Sequence, residues 1–333
     1  MLLSGVALRV PSRRAPLTFT RRLSSFMSTS SHPSSSSAAA VTVPGPLVTP
    51  GWVMQRLGQP GLKVLDASWY PPNMPPRDTA AEHASKRIPG AAFFGLDDVC
   101  DPGSRLPHML PPEAVMDAYC SRVGIGAGDA VVVYDSFGIL SSARVWWTFR
   151  ALGHENVAVL NGGLPAWEAE GGTLESGPLP SGSETGLLKA DSPFRASRVD
   201  ALVRSMAQVK ANIEAKGEVL LDARPAPRFS GEAPEPRPTI LSGHIPGSLN
   251  VPFTTLLDEA KRMKPAEELA QAFRAGGLGD PGVPVAISCG SGATACILSL
   301  ALHVLGNESA AVYDGSWSEW GNDPSAPVAK GSA

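Results

Sequence analysis

The stretch VAISCGSGATACILSLAL, Val285 to Leu302, decides how this chain is read. A run of strand length meets a cysteine and a Gly-Ser-Gly turn, and a longer apolar run of helical length follows. No charged residue falls within its 18 positions. A bilayer span would need about 20 predominantly apolar residues. The uncharged run extends over 22 residues to Gly306, but Gly290, Ser291, Gly292, Thr294 and His303 interrupt it, so it reads as a buried strand, a loop and a buried helix starting near Thr294.

Working outward, the same order of signals occurs twice. KVLDAS (Lys63 to Ser68) matches VLLDAR (Val219 to Arg224), and RIPGAAFF (Arg87 to Phe94) matches HIPGSLNVPF (His244 to Phe253). AVVVYDS (Ala130 to Ser136) matches PVAISCG (Pro284 to Gly290), and LGHENVAVLNGGLPAW (Leu152 to Trp167) matches LGNESAAVYDGSWSEW (Leu305 to Trp320). The offset stays near 155 residues, which marks two copies of one unit. Short β-branched runs alternate with helical stretches that stop at Gly, so each copy is expected to be an α/β domain with a mostly parallel sheet. The organisation expected is a presequence over 1–44, a first domain over 45–172, a linker over 173–198, a second domain over 199–325 and a tail over 326–333.

The first 40 residues carry five Arg, many Ser and no acid; the first carboxylate in the chain is Asp66. That composition is that of an organelle transit peptide, mitochondrial or plastid, without the sustained apolar core of a secretory signal. Its removal would take five positive charges and leave a net charge of −8 from the whole chain's −3. No large basic block points to nucleic acid or to an anionic membrane surface. The four cysteines, Cys100, Cys120, Cys289 and Cys296, include no C-x-x-C pair, so neither a zinc site nor a dithiol redox motif is expected. Free thiols in a reducing interior fit this usage. No metal or organic cofactor is called for, and a monomer is the default.

In open α/β sheets ligands sit at the carboxyl ends of the strands, which is where Cys289 falls. Small residues at Gly290, Ser291, Gly292, Ala293 and Thr294 let backbone N–H groups turn inward, and the following helix adds its N-terminal partial charge. The arrangement suits an anion, and a thiolate is one, so Cys289 is a candidate nucleophile. Cys296, inside the apolar helix, reads as a packing residue, and Cys100 and Cys120 read likewise. A Cys-X5-Arg phosphatase would need an Arg where Ala295 stands. A cysteine protease would need a histidine base, which the sequence leaves open.

The cysteine loop, the GHIPG and YDGSW segments and the tandem repeat resemble the rhodanese-type sulfurtransferases over residues 45 to 325. The resemblance implies two tandem rhodanese-like domains, with the second catalytic. CGSGAT carries no basic residue and looks like the loop of the family's 3-mercaptopyruvate branch, CG[ST]GVT, with Ala293 in place of Val; the thiosulfate:cyanide branch carries cations there. A non-catalytic rhodanese-like binding module is the third reading, and the retained Cys289 weighs against it. By the same resemblance Cys289 would take sulfur as a persulfide and release pyruvate. A small thiol, thioredoxin or cyanide would then accept the sulfur. Arg228 and Arg237, in RPAPRFSGEAPEPRP, would bind the donor's carboxylate and ketone, since Arg forks pair with carboxylates; Arg224 lies in the same segment. Ser291, His108 and Asp97 match a proton relay, with Asp98 as the alternative acid. In the first copy Asp135 or Ser136 stands where the second has Cys289, and Arg87 stands where it has His244, both of these last two read as structural.

Overall fold

The computed structural model describes residues 40–178, 192–237, 239 and 241–332. The presequence up to residue 39 and the middle of the linker, 179–191, lie outside the described residues. Ten strands form two five-stranded sheets. The first contains β1 (Leu47–Val48), β2 (Leu62–Asp66), β3 (Ala92–Phe93), β4 (Ala130–Tyr134) and β5 (Val157–Leu160), in the order β1-β5-β4-β2-β3. The second contains β6 (Val203–Arg204), β7 (Val219–Asp222), β8 (Leu249–Asn250), β9 (Val285–Ser288) and β10 (Ala311–Tyr313), in the order β6-β10-β9-β7-β8. The two orders are the same once each strand is matched to its repeat, and every pairing is parallel. The tandem α/β expectation holds.

The central strands explain the pattern. Ala130, Val131, Val132, Val133 and Tyr134 of β4 are all fully buried. A strand covered by helices on both sides needs apolar residues at every position, not at alternate ones. Helices flank the first sheet as α1 (Pro50–Met54), α2 (Thr79–Ser85), α3 (Glu113–Val123), α4 (Ser142–Ala151) and α5 (Gly163–Ala169). The second has α6 (Met206–Ala215), α7 (Ala226–Ser230), α8 (Ala266–Ala275), α9 (Ala295–Val304) and α10 (Ser316–Trp320). The boundaries follow local chemistry. Ser205 and Gln208 form a capping box at α6, and Gly124, at φ 71°, stops α3.

The two copies meet through equivalent helices: α4, after β4, packs against α9, after β9. One apolar cluster therefore runs from Phe94, Trp146 and Phe149 to Ile297, Leu298 and Leu300. Each such side chain contributes about 1.5–3 kcal/mol on burial. The loops that precede α4 and α9 are thereby fixed near each other.

Packing continues past three of the expected boundaries. Residues before 45 already pack on the first domain: Val41 is buried, and Asn156 receives the N–H of Val43 and donates to the Val41 carbonyl, both at 2.9 Å. The linker's described ends are tied down, Glu175 pairing with Arg87 and Ser192 with Ala127. The segment expected as a tail is pinned too. Ala329 exchanges two backbone hydrogen bonds with His244, and Trp320 Nε1 donates to Pro327 O at 2.9 Å. In each case backbone groups that would stand free in a tail or linker find partners on a sheet edge or loop.

Candidate active site

Cys289 follows β9 directly and is 2% exposed. Its own amide is used, donating to Ser316 Oγ at 3.1 Å, and its carbonyl accepts from Trp317 N at 3.0 Å. The Gly290 carbonyl takes two further bonds, from the backbone and hydroxyl of Ser318, at 2.8 and 2.7 Å. The YDGSW segment thus braces the loop from outside. The amides of Gly290, Ser291, Gly292, Ala293 and Thr294 have no acceptor among the described residues. They precede α9, whose N-terminus adds its partial positive charge, and together they form an anion cradle.

The first copy contains the same cradle, filled. Asp135 follows β4 as Cys289 follows β9. Its Oδ1 accepts from the amides of Phe137 and Gly138, both at 2.9 Å. Its Oδ2 accepts from the amides of Leu140 and Ser142 and from the Ser142 hydroxyl, at 2.8, 2.9 and 2.6 Å. Of the two residues that could match Cys289, Asp135 takes the place, and Ser136 instead hydrogen-bonds Ser68.

A cavity of about 240 Å³ opens over the cysteine loop. Trp69, Met74, Phe137 and Phe253 supply its apolar wall, and Arg228, Glu235 and Arg237 its charges. Arg228 is bound by Glu235, which also takes Arg224 Nη1 at 2.8 Å. Arg224 is 1% exposed, pairs with Asp222 at 2.6 Å and lies over the Trp317 ring, so it supports the wall and does not face the cavity. Glu232 takes no part in these pairs. A side chain at Gly290 would meet Arg228 Nη2 at 2.8 Å, which gives that glycine a steric reason. Arg237 differs. Among the described residues no carboxylate lies within ion-pair distance of it, and its Nη1 donates to Ser291 Oγ at 3.3 Å. Burial lowers its pKa, with Asp97 and Cys289 opposing. The cavity's charged groups therefore sum to one uncompensated positive charge.

Ser291 leads back to the first domain. His108 Nε2 lies 2.9 Å from Ser291 Oγ, and His108 Nδ1 lies 3.1 Å from Asp97 Oδ1. Trp69 donates from its indole to Asp97 Oδ2 at 2.7 Å and sets its ring edge-on to the imidazole, 5.0 Å between centroids. The hydrogen bond from His108 lowers the Asp97 pKa, with Trp69 adding to it. Burial lowers that of His108. The acid is thus held ionised and the imidazole neutral. With Nδ1–H donating to Asp97, Nε2 accepts from the Ser291 hydroxyl. Among the described residues Asp98 forms no hydrogen bond or ion pair with the ring, whose Nδ1 partner is Asp97. His108 is 2% exposed and holds φ 40°, in the left-handed region that costs an L-residue about 1–2 kcal/mol.

That conformation has a visible support. Arg144 of α4, 1% exposed, donates from Nη2 to the His108 carbonyl at 2.7 Å and from Nη1 to the Gly292 carbonyl at 3.4 Å. The same guanidinium lies 2.6 Å from Asp314 Oδ1, and Asp314 Oδ2 accepts the Leu110 amide at 2.7 Å. A side chain on Gly292, itself at φ 81°, would meet Arg144 Nη1 at 2.9 Å. Trp69, Arg144 and Asp314 were not singled out from sequence. The available signals were a Trp three residues past Asp66, the end of the strand KVLD, and a lone Arg in the apolar run SSARVWW.

Two of the remaining thiols fit packing, whereas Cys100 is only partly buried and donates to the Asp97 carbonyl at 3.1 Å. Cys296 and Cys120 are buried in helices, and burial pushes both far above the ordinary thiol range. His244 stacks on Phe229 and bonds its carbonyl, and buried Arg87 pairs with Glu175. Among the described residues no helix is long and apolar enough to cross a membrane.

A family model described as the rhodanese-like domain matches residues 49–170 and 205–323. The Arabidopsis thaliana protein named thiosulfate/3-mercaptopyruvate sulfurtransferase 1, mitochondrial, is 44% identical over 309 residues, covering 88% of this chain and 80% of that protein. The 3-mercaptopyruvate sulfurtransferase of Homo sapiens is 40% identical over 281 residues, covering 82% and 91%. Among solved structures, SseA from Escherichia coli, described with the rhodanese fold of 3-mercaptopyruvate sulfotransferases, aligns with a TM-score of 0.72 at 33% identity. It covers 82% of this chain and 99% of that one.

Proposed function

Because this chain belongs to the rhodanese-like family of sulfurtransferases, we propose that it takes sulfur from 3-mercaptopyruvate onto Cys289 and passes it to a thiol acceptor. The observation that carries this reading is an uncharged anion cradle at Cys289 beside one uncompensated guanidinium, Arg237. The donor brings one carboxylate, which Arg237 matches, with Arg228 closing on the ketone as it exchanges part of its contact with Glu235. Thiosulfate, a dianion, meets only one free cation and is read as a slower donor.

The Cys289 thiolate attacks the donor sulfur and the carbon–sulfur bond breaks. The electron pair leaves with carbon as the enolate of pyruvate, which is protonated from solvent, while the proton that His108 gains returns to solvent before the next turnover. The new S–S bond leaves a persulfide whose proton passes through Ser291 to neutral His108, with Asp97 stabilising the imidazolium. The terminal persulfide sulfur is anionic, so the free amides of residues 290 to 294 suit it as they suit the thiolate. An acceptor thiolate, reduced thioredoxin or cyanide then attacks that outer sulfur and returns Cys289 as thiolate. The first domain contributes His108 and Asp97 and carries no sulfur itself. We read the acid-free N-terminus as a mitochondrial address, in keeping with the Arabidopsis relative's name.

The test is pyruvate and thiocyanate formation from 3-mercaptopyruvate and cyanide by the purified chain. Both products are expected in equal amounts, and Cys289→Ser should abolish them. A chain that releases thiocyanate from thiosulfate but no pyruvate from 3-mercaptopyruvate would reverse the donor assignment.

A further inference from the structure

Arg144 donates to the carbonyls of both His108 and Gly292 and does not line the cavity. We propose that Arg144 is a positioning residue: paired with Asp314, it holds the His108 carbonyl and the Gly292 carbonyl together, and so keeps the imidazole between Asp97 and Ser291. The inference rests on the relay described above.

Four contacts support it. The guanidinium comes from α4 of the first domain, yet its anionic partner Asp314 follows β10 of the second. One guanidinium nitrogen binds the carbonyl of the relay histidine, and another that of the cysteine loop. Asp314's other oxygen holds the Leu110 amide, two residues past His108. The segment 108–110 is thus gripped at a carbonyl and at an amide, on either side of Met109. Both charges are buried, at 1% and 5% side-chain exposure, so neither is a solvated surface group that happens to lie nearby. The left-handed φ of His108 needs such a grip, because a bulky residue released from it would relax toward ordinary φ and swing the ring away from Ser291.

The charged groups facing His108 are Asp97 from its own domain, Arg144 from α4 and Arg237 from the second domain. Asp314 reaches it through the Leu110 amide and through Arg144. Removing one member of the buried pair leaves the other charge uncompensated, with opposite effects on the ring. The probe is the imidazole itself, observed by NMR in histidine-labelled protein without substrate, in the wild type, Arg144→Met and Asp314→Asn. Asp314→Asn keeps the side chain's shape and decides the matter alone if Arg144→Met does not fold.

The wild type should show a downfield Nδ1–H resonance for His108, hydrogen-bonded to Asp97. Both variants should lose it. The His108 titration should move up by about 0.5–1 unit in Arg144→Met and down by a similar amount in Asp314→Asn. Turnover should fall about tenfold in each, with KM within twofold. Folded variants that keep the resonance would overturn the positioning role, whether or not the titration moves. Because the ring is read without turnover, the result stands apart from whether the wild type releases pyruvate.

Discussion

His108 Nε2 and Ser291 Oγ are 2.9 Å apart, in a hydrogen bond that joins residues 183 positions apart in the chain. Neither domain alone holds both groups. The proton chemistry proposed at Cys289 therefore depends on the seam between α4 and α9 as much as on the cysteine loop.

His108→Gln should slow pyruvate release about 100-fold in single-turnover experiments, the usual range for losing a general base. Attack of cyanide on preformed persulfide should change less than twofold. Burial holds the His108 pKa below its ordinary 6.5, and the protonated ring cannot accept from Ser291. The donor half-reaction should stay level through neutral pH and fall only on the acid side of 6.5. Asp97→Asn removes an anion that favours the charged ring, so its acid limb should move lower still. A limb that moved up in Asp97→Asn would contradict the relay.

Arg237→Gln should raise KM for 3-mercaptopyruvate about 10- to 100-fold, with a smaller effect on kcat. Arg237→Lys should recover little, since the ammonium lacks the planar fork. Steady-state kinetics at several donor concentrations check this. Equal KM values in wild type and variant would remove Arg237 from the donor site.

Asp135→Asn should destabilise the protein by about 3 kcal/mol in urea unfolding. The carboxylate accepts four backbone amides and a hydroxyl, and the amide's NH2 would face donors in place of acceptors. A loss below about 0.5 kcal/mol would mean the cradle is filled without being stabilised.

Burial pushes His303 down to about 4 from 6.5. The unfolded chain therefore binds this proton at a higher pH than the folded one. Stability from the neutral ring is complete above about 6.5 and is lost as pH falls from there toward 4. The thermal midpoint should fall over that window, and His303→Gln should flatten the fall. Parallel curves for wild type and variant would exclude the effect.

The fold was legible because its signals are local and doubled. AVVVY and VAIS each announce a buried parallel strand, and the recurrence of LG…W at the same spacing announces a second copy. Cys289 was legible for a related reason, since a thiol followed by Gly-Ser-Gly needs only neighbouring residues to make sense. Arg144 and Asp314 were not, because their meaning lies in a partner 170 positions away. An Arg in SSARVWW reads as an ordinary amphipathic face until α9 covers it. Glu235 was legible only as a neighbour of arginines, and its tie to Arg224, which Asp222 also holds, appears only once α7 and β7 are folded together. The anchoring of the linker's ends and of the tail leaves no mark in the sequence, since what fixes Ala329 and Ser192 is backbone pairing, which is not tied to a side-chain type.

The filled cradle at Asp135 has a consequence for how the two halves meet small anions. The second half presents amides, from Gly290 to Thr294, that find no acceptor among the described residues and stand open to an anion. The first half carries the same cradle with its anion covalently attached. Duplication has thus left one chain with an open port and a permanently plugged one, each at the same strand end of the same five-stranded frame.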